Sequence, residues 1–540
     1  MRLSDHPRGP RVNATEPEWV DAAALADVQA KVKLVVRRQG RQILLIDTAG
    51  GVRACANRCP HQGFPLSEGV LTEGCVLTCN WHNWKFNLDD GRTLVGGDRL
   101  RTFPVRVEGD RVLVDLAPED PAARRARILA GLERALDETD QERLVRESAR
   151  LADLNGDAVA AVGAAIAWAA PRFEFGTTHA FAGAPDWLAL HDANSTGSDE
   201  KLAAIGEILG HIADDARGAG PFPFPPGEAP WDEVKFLAAI EAEDEPRAAA
   251  LIRGALRAGL TARDLAPSLF TAALAHYQDF GHSLIYAVKT VALIERIGPQ
   301  TAELLLLALA RSLIFARRED LLPEFRDYGE RLAGWARAGP TPPPLQAVAL
   351  RGGSPRTAMT TVAAWNGRHP RQEIFAVLVE AAAWALLHVD SAALTRTDGK
   401  IADNVGWLDF THALTFAEAG REATAISPTL WPPVLLQLAC FIGRNSAWLD
   451  PDIDVGAFAV GDPRGFVAQA KAGLFDHGRD GFIVSVHLLK TLMAAEALAG
   501  ALPDSAAALY AAINRLINAP MKRRHVLRTA RQMRAFVAEE

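Results

Sequence analysis

The sequence predicts two parts of different fold class: an all-β domain at the N-terminus and a much larger all-α domain after it. Short segments with alternating apolar residues, separated by glycine turns, run from residue 18 to residue 116. Beyond them the chain is rich in Ala and Leu at helical spacing, and we find no convincing strand pattern after residue 125. A chain of 540 residues has room for about two to four domains.

The all-β prediction rests on five short apolar segments, of which the first has apolar residues at alternating positions. They are expected at residues 32–36, 43–46, 52–56, 103–107 and 111–116. Gln39-Gly40 and Gly50-Gly51 are expected to turn the chain between the first three segments, and Glu108-Gly109-Asp110 between the last two. Short strands joined by glycine turns predict a small sandwich or barrel.

The helical prediction begins after residues 117–123, which contain two prolines and are interpreted as a linker. Segments such as 302–316 and 374–389 then place apolar residues at helical spacing. Proline-rich breaks at 221–230 and 339–344 either separate blocks of helices or are long loops within one domain. The predicted division is an N-terminal extension (1–17), a β domain (18–116), the linker (117–123) and a helical domain (124–540).

Two Cys-His pairs are the most informative motif of the sequence. Cys59-Pro60-His61 is followed after seventeen residues by Cys79-Asn80-Trp81-His82. Two thiolates suit one iron and two imidazoles suit another, so this set can hold a [2Fe–2S] cluster with mixed ligands. Because such a cluster moves one electron at a time, the motif predicts redox chemistry.

A zinc site built from the same Cys₂His₂ set is the structural alternative. The spacing of the two pairs is wrong for a zinc finger, and the flanking β pattern favours an iron–sulfur domain. Cys55 and Cys75 each precede a candidate ligand by four residues. They are expected to be small buried residues, with a disulfide or a ligand role as the alternative. Cys440 is expected in a helical core.

From about residue 19 to residue 116 the sequence resembles the Rieske family. The resemblance rests on the two Cys-His loops, on the Pro-Leu-Ser-Glu-Gly segment at 65–69, and on Phe86 and Gly91. It implies a [2Fe–2S] cluster with two cysteine ligands on one iron and two histidine ligands on the other. These ligands are Cys59, His61, Cys79 and His82.

Residues near the predicted cluster indicate which of two branches of this family the sequence resembles. Members of respiratory complexes have a disulfide-forming cysteine in each loop, where this sequence has Phe64 and Trp81. They also have hydroxyl residues where it has Trp84 and Phe86, and loss of these donors is expected to lower the potential. The sequence therefore resembles the ferredoxin and oxygenase branch. Asn83 stands where that branch usually has Gly; asparagine tolerates the left-handed conformation, so the loop is expected to keep its shape.

The helical region offers a weaker pattern. Rieske oxygenases hold a further iron with Asp-x-x-His-x(3–4)-His, and we do not find that motif in this sequence. Residues 279–284 (Asp-Phe-Gly-His-Ser-Leu) are instead echoed by residues 409–414 (Asp-Phe-Thr-His-Ala-Leu). A carboxylate and an imidazole three residues apart share a helical face, as in the Glu-x-x-His pairs of di-iron bundles. The candidate catalytic residues are therefore Asp279, His282, Asp409 and His412.

Other histidines are further candidates for such a site: His276, His388 and His487 also lie in apolar helical surroundings. The alternative is that all these side chains are hydrogen-bonded core histidines and that the repeat arises by chance. Residues 407–418 have a faint resemblance to questin-oxidase-like proteins, which implies oxygenation of aromatic polyketides. Because no glycine-rich nucleotide-binding motif is found, electrons are expected from a separate flavin-dependent or ferredoxin reductase.

The composition and charge of the sequence limit the kinds of partner that we expect the protein to bind. A net charge of −8 argues against nucleic acid as the main partner. The longest apolar stretch, 158–170, is short of the roughly 20 residues that span a bilayer. Residues 1–13 lack the apolar core of a signal peptide. We therefore expect a cytoplasmic protein that binds no membrane.

Two functions are consistent with these patterns. In the first, the chain is an oxidoreductase whose cluster delivers electrons to a helical domain that oxygenates or oxidises a small organic substrate, with a possible second non-haem metal there. In the second, the cluster domain is an electron carrier or redox sensor and the helical region is an interaction scaffold.

Overall fold

The structure, a computed structural model, describes residues 16–72, 75–337, 341–522 and 524–539. It divides into two compact units, which meet in the sequence between Gly131 and Leu132. The predicted fold class is confirmed, since an all-β domain is followed by a large helical region. The predicted N-terminal extension lies almost entirely outside the described residues, as does part of the break at 339–344.

Eleven strands in the described part of the N-terminal domain form three antiparallel sheets, with the strand orders β1-β11-β10, β2-β3-β4-β9 and β5-β6-β7-β8. The strands are β1 (Trp19–Ala24), β2 (Lys33–Arg38), β3 (Arg41–Thr48), β4 (Gly51–Ala56), β5 (Val70–Thr72), β6 (Val76–Thr78), β7 (Lys85–Asn87), β8 (Thr93–Val95), β9 (Thr102–Phe103), β10 (Val105–Glu108) and β11 (Arg111–Asp115), with helix α1 (Leu25–Lys31) after β1.

Strand β3 lies between two apolar clusters because its side chains alternate from face to face. Ile43 and Leu45 pack into one cluster, whereas Leu44 and Ile46 pack into the other. The second cluster contains the side chains of Cys59 and Cys79. The continuous apolar run of β3 therefore anchors both the core of the domain and the base of the two Cys-His loops.

Every segment predicted as a strand contains one. Residues 103–107 divide into β9 and β10, which are separated at Pro104. The sequence did not reveal β1, α1 or the short strands β5 to β8. The latter are only three residues long, so they offer too few alternating positions to be recognised.

The helical region contains twenty α-helices among its described residues. They are α2 (Pro121–Glu138), α3 (Gln141–Asn155), α4 (Val159–Ala169), α5 (His179–Ala193), α6 (Asp199–Asp215), α7 (Glu233–Glu241), α8 (Glu245–Arg257), α9 (Ala262–Leu274), α10 (His282–Ile297), α11 (Ala302–Ile314), α12 (Tyr328–Ala333), α13 (Pro355–Trp365), α14 (Arg371–Leu387), α15 (Ser391–Thr395), α16 (Trp407–Ile426), α17 (Trp431–Asn445), α18 (Pro463–Gly473), α19 (Phe482–Ala501), α20 (Ala506–Ile517) and α21 (Val526–Glu539).

Helix α2 begins at Pro121, inside the segment interpreted as a linker. Proline suits the first turn of a helix because its missing N–H would have no partner there. The Asp120 carboxylate accepts a hydrogen bond from the N–H of Ala123 and satisfies another free donor of that turn.

Four helices of this region form a closed ring of contacts. Helix α10 packs against α5 and α16, and α19 also packs against α5 and α16. His179 is the first residue of α5 and His282 the first residue of α10. His412 and His487 each lie in the second turn of their helices, α16 and α19.

One helix in the described part of the chain, α19, is long and apolar enough to cross a membrane, with a mean hydropathy of 1.5 in its most apolar window. Its sequence contains no long uninterrupted apolar run, because His487, Lys490 and Glu496 lie within it. Since 72% of that window is buried inside the protein, α19 has the burial expected of a core helix.

Candidate metal centres

The first Cys-His loop follows β4 and is closed by its own backbone. The N–H of Cys59 donates to the carbonyl of Phe64 at 2.8 Å, and the N–H of Gly63 donates to the carbonyl of Cys59 at 2.8 Å. Gly63 has φ = 80°, a conformation that glycine adopts without steric cost.

The second loop follows β6 and repeats this pattern. The N–H of Cys79 donates to the carbonyl of Trp84 at 2.8 Å, and the N–H of Asn83 donates to the carbonyl of Cys79 at 2.9 Å. Asn83 has φ = 60°, so the prediction that asparagine preserves the left-handed turn is confirmed. The two loops therefore present a cysteine and a histidine in the same way.

The four predicted ligands lie together between these loops. His61 Nδ1 and His82 Nδ1 are 3.2 Å apart, and the thiols of Cys59 and Cys79 contact each other. Burial raises the pKa of the Cys59 thiol to about 11, and the backbone N–H groups of His61 and Gln62 act in the opposite direction. Two adjacent thiols, two adjacent imidazoles and N–H groups directed at sulfur fit a cluster with one Cys₂ iron and one His₂ iron.

Aromatic rings surround this group. Trp84 stacks on His61 with 4.6 Å between ring centroids, and Phe64 stacks on Trp81 at 4.0 Å. A Cβ at Gly96 would lie 2.3 Å from the Trp84 ring, so only glycine leaves room for that tryptophan. Trp81 is 56% exposed and His82 is also exposed. Trp81 and His82 therefore form an exposed side of the site, whereas Cys59 and Cys79 are buried.

A second group of potential ligands lies inside the helical ring. One ring nitrogen from each of four histidines lies within 4.8 Å of the other three. Two distances define the group: His282 Nε2 is 3.0 Å from His179 Nε2, and His487 Nε2 is 3.2 Å from His412 Nε2. The members of this four-histidine site are His179, His282, His412 and His487.

In three of these rings the second nitrogen, Nδ1, has a hydrogen-bond partner outside the group, which orients the ring. His282 Nδ1 donates to the carbonyl of Asp279 at 2.5 Å, and His487 Nδ1 donates to the carbonyl of Ile483 at 2.6 Å. Because a carbonyl only accepts, the neutral form of each ring carries its proton on Nδ1 and a lone pair on Nε2. The hydroxyl of Tyr286 lies 3.2 Å from His179 Nδ1. Metal-binding histidines are oriented by partners of this kind.

The electrostatics of the site favour neutral imidazoles, the form that binds a metal. Burial lowers the pKa of every histidine in the four-histidine site, and it lowers that of His487 to about 3. Lys490 lies one turn after His487, and burial lowers the pKa of its ammonium group to about 7. No carboxylate of the described residues joins the four nitrogens.

The segment before His282 has an unusual backbone. Asp279 has φ = 44°, Phe280 has φ = 48° and Gly281 has φ = 81°. Left-handed conformations in residues other than glycine are costly and often mark functional sites. The carboxylate of Glu319 accepts a hydrogen bond from the N–H of Phe280 at 3.1 Å, which helps to hold the segment in this shape.

Comparison with known proteins decides the identity of the N-terminal domain. Residues 18–104 match the Rieske [2Fe-2S] domain family. The ferredoxin component of a naphthalene 1,2-dioxygenase system from Pseudomonas aeruginosa is 33% identical over 102 residues, which are 18% of this chain and 97% of that protein. Through this domain the chain belongs to the Rieske family.

Two other proteins show how small a part of the chain these similarities cover. The 4beta-methylsterol monooxygenase of Methylococcus capsulatus is 40% identical over 99 residues, 16% of this chain and 26% of that enzyme. The ferredoxin of carbazole 1,9a-dioxygenase from Nocardioides aromaticivorans is 26% identical, with a TM-score of 0.17, and covers 19% of this chain and 98% of that ferredoxin. The Rieske assignment therefore concerns the N-terminal domain only.

The Rieske domain binds a [2Fe–2S] cluster and transfers electrons. Cys59, His61, Cys79 and His82 are the residues that would hold the cluster, and this assignment stays a prediction supported by their geometry. Cys55 and Cys440 are completely buried and Cys75 is partly buried, all as free thiols. The burial predicted for Cys55 and Cys440 is confirmed, whereas Cys75 is only partly buried; none of the three forms a disulfide.

The structure brings only part of the predicted helical site together. The carboxylate of Asp279 lies 3.5 Å from His282 Nδ1, on the outer side of that ring. The carboxylate of Asp409 accepts a hydrogen bond from the N–H of Gly406 at 2.7 Å and one from Arg444 at 3.2 Å. Asp409 therefore caps the start of α16 and does not join the four nitrogens, whereas His282 and His412 do.

Two further histidine candidates lie outside the four-histidine site. His276 is held between Glu241 and Asp320, at 2.7 Å and 3.0 Å. His388 Nδ1 donates to the carbonyl of Trp384, and its ring stacks on the same tryptophan. Sequence reasoning missed His179, because no acidic residue precedes it by three positions and its neighbours in sequence are small residues.

Proposed function

We propose that the chain is an oxidoreductase in which the Rieske cluster takes one electron at a time from a separate reductase and passes it to a metal in the helical domain. That metal would be held by the four-histidine site and would support oxidation or oxygenation of a small organic substrate. The observation that carries this proposal is the convergence of four neutral imidazoles inside a ring of four helices.

The hydrogen bonds explain why a metal suits this site. His282 and His487 keep their protons on Nδ1, so each directs a lone pair at another imidazole nitrogen 3.0–3.2 Å away. Without a cation, His179 and His412 must supply protons to separate those lone pairs. With a cation, all four nitrogens would become ligands, and His179 and His412 would each carry their proton on the other ring nitrogen.

The ligand set and the neighbouring domain favour a redox metal. Imidazole ligands suit zinc, copper, iron and nickel. Zinc does not change oxidation state, so it could not use the single electrons that a Rieske cluster supplies. An iron or copper ion would supply one-electron chemistry with dioxygen, while the four histidines would fix its position and exclude carboxylate ligands.

The partners follow from the same reasoning. The exposed edge formed by Trp81 and His82 is the proposed place at which a flavin-dependent or ferredoxin reductase delivers electrons. Similarity to the ferredoxin of a dioxygenase system and to part of a sterol monooxygenase supports a role in oxygenation. The substrate is proposed to be a small organic molecule, and free cysteines support a cytoplasmic location.

Metal analysis of anaerobically purified full-length protein tests this proposal. We expect the two irons of the cluster and a further equivalent of iron or copper per chain. His179→Asn and His487→Asn should each remove the further metal, because each deletes one of the four nitrogens. The Rieske electron paramagnetic resonance signal should be unchanged in both variants.

His388→Asn is the matched control, because His388 is a buried histidine of the helical region that does not join the site. It should keep the further metal. A wild-type protein with only the two cluster irons and no other transition metal would contradict the proposal. The remaining function would then be an electron carrier or sensor with a helical scaffold.

A further inference from the structure

Three charged residues in the helical ring, of which Asp186 and Lys490 are buried and Lys289 is partly buried, are not used by the proposed metal site. Asp186 follows His179 by seven residues on α5, and Lys289 follows His282 by seven residues on α10. Seven residues advance a helix by about 10 Å, so this pair lies about two turns from the four-histidine site. Lys490 follows His487 by only three residues, one helical turn, and its charge interacts with those of Asp186 and Lys289.

The contacts of this group leave one oxygen without a protein partner. Lys289 Nζ lies 2.6 Å from Asp186 Oδ1. Asp186 is only 6% exposed, and no described residue lies within hydrogen-bond distance of its Oδ2. Buried carboxylate oxygens are almost always hydrogen-bonded, so a bound water is expected at Oδ2.

The two lysines have different proton affinities. Burial lowers the pKa of Lys490 to about 7, although Asp186 acts to raise it. Burial also disfavours the charged form of Lys289, but the charge and hydrogen bond of Asp186 outweigh it and raise that pKa. The side chain of Lys289 is 20% exposed, whereas Lys490 is 4% exposed. Lys289 is thus the group that reaches solvent, and Lys490 is the group that changes charge near neutral pH.

We propose that Lys289, Asp186 and Lys490 form a proton path from solvent to the four-histidine site, with a water molecule bound at Asp186 Oδ2. This inference rests on the proposed function. Insertion of one oxygen atom into a substrate consumes protons: R–H + O₂ + 2e⁻ + 2H⁺ gives R–OH + H₂O. The electrons come from the Rieske cluster and the oxidant is dioxygen.

Each proton transfer balances along the path. The Lys490 ammonium gives a proton to the reacting oxygen and becomes a neutral amine. The water at Asp186 Oδ2 then gives a proton to that amine and regains one from the Lys289 ammonium through the Asp186 carboxylate. Lys289 is finally reprotonated from solvent.

A purely structural ion pair explains these observations less well. One lysine and one carboxylate are enough to join α5 and α10. A second buried lysine adds a desolvation cost that no direct ion pair in the described structure offsets. A role of Lys490 in proton transfer close to the metal site would explain why this desolvation cost is retained.

Asp186→Asn tests the path in full-length protein loaded with cluster and iron. The protein is reduced with dithionite, mixed with oxygenated buffer, and followed by the return of the absorbance of the oxidised cluster. We expect a rate about a hundredfold lower than that of the wild type, as for loss of a proton-transfer group. The solvent deuterium isotope effect should rise, while iron content and cluster spectrum stay unchanged.

Asp192→Asn is the matched control, since Asp192 lies on the same helix and is 45% exposed in its pair with Arg296. It should reoxidise at the wild-type rate. The double variant Asp186→Asn/Lys289→Met removes both members of the ion pair, so Lys289 is not left without its partner, and it should be as slow as Asp186→Asn. It replaces the single variant if that variant does not fold.

Infrared difference spectra on reduction give a readout that needs no oxygen. The wild type should show a carboxyl band from the Asp186 region that is absent in Asp186→Asn. Wild-type rate and an unchanged difference spectrum in Asp186→Asn would overturn the proton path. If His282→Asn also reoxidised at the wild-type rate, the proposed function itself would fail, so the two failures are distinguishable.

Discussion

The charge of each predicted ligand sets the potential of the cluster at the residue scale. His61→Cys replaces a neutral imidazole by a thiolate, and the added negative charge stabilises the oxidised cluster. We expect the midpoint potential to fall by roughly 100 mV or more, or the cluster to be lost. Potentiometric titration followed by electron paramagnetic resonance measures either result.

Cys75→Ser is the control for this change, because Cys75 is a free, partly buried cysteine in the same domain. Its potential and spectrum should equal those of the wild type. An unchanged potential in His61→Cys would exclude His61 as a ligand.

Because Glu319 is buried, we expect the stability of the helical region to depend on pH. Burial raises the pKa of its carboxyl group to about 7, from a usual value near 4.5. The folded state therefore holds this proton more tightly than the unfolded state. Its contribution to stability is complete below pH 4.5 and is lost as the pH rises through 7.

Glu319→Gln tests this contribution, since the amide keeps an acceptor for the N–H of Phe280 but cannot ionise. The free energy of unfolding of the wild type should lose on the order of 2 kcal/mol more than that of the variant between pH 5 and pH 8. Urea unfolding of metal-free protein at both pH values measures the difference. Parallel curves for the two proteins would refute the raised pKa.

At the scale of elements, the start of α10 decides where His282 points. Gly281 has φ = 81°, and a Cβ there would lie 2.7 Å from Phe416 and 2.8 Å from Phe441. Gly281→Ala should displace the first turn of α10 and lower the affinity of the four-histidine site for metal by about 10- to 100-fold. Metal content after dialysis against a weak chelator measures this loss, with the Rieske signal unchanged.

Gly259→Ala is the control for Gly281→Ala, because it introduces backbone strain without displacing the first turn of α10. Gly259 has φ = 87°, but no atom lies within 4 Å of its added Cβ. It should destabilise the protein by about 1 kcal/mol and leave the metal affinity unchanged. Equal metal affinities in the two variants would show that the contact with Phe416 and Phe441 does not position His282.

The sequence predicted those strands and helices whose hydrophobic pattern is long enough to be recognised from neighbouring residues alone. Strand β3 follows from its short apolar run between glycine turns, and the hairpin of β10 and β11 follows from alternation and a glycine turn. Strands β5 to β8 were missed because they depend on pairing with each other more than on their own composition. The repeated Asp-x-x-His pattern identified two members of the four-histidine site, but it also selected Asp409, which caps a helix.

At the scale of the whole molecule, two compact units carry the two centres. The Rieske loops belong to the unit that ends at Gly131, and the four histidines belong to the unit that begins at Leu132. Expressed separately, residues 1–120 should keep the Rieske signal and residues 121–540 should keep the further metal, since a cut before Pro121 leaves α2 intact. Metal analysis and spectroscopy of both fragments test this, and loss of either centre would show that it needs the other unit.

The sequence alone predicted the cluster, because its four predicted ligands lie in two short loops whose spacing and turns are local. Only the tertiary structure decided the four-histidine site: the sequence had indicated His282, His412 and His487 as candidates, but not His179 and not that the four would meet. His179 and His282 are 103 residues apart, and His412 and His487 are 75 residues apart. Their nitrogens meet only because α5, α10, α16 and α19 bury their apolar faces against one another, and no local pattern records which buried histidines that packing will bring together.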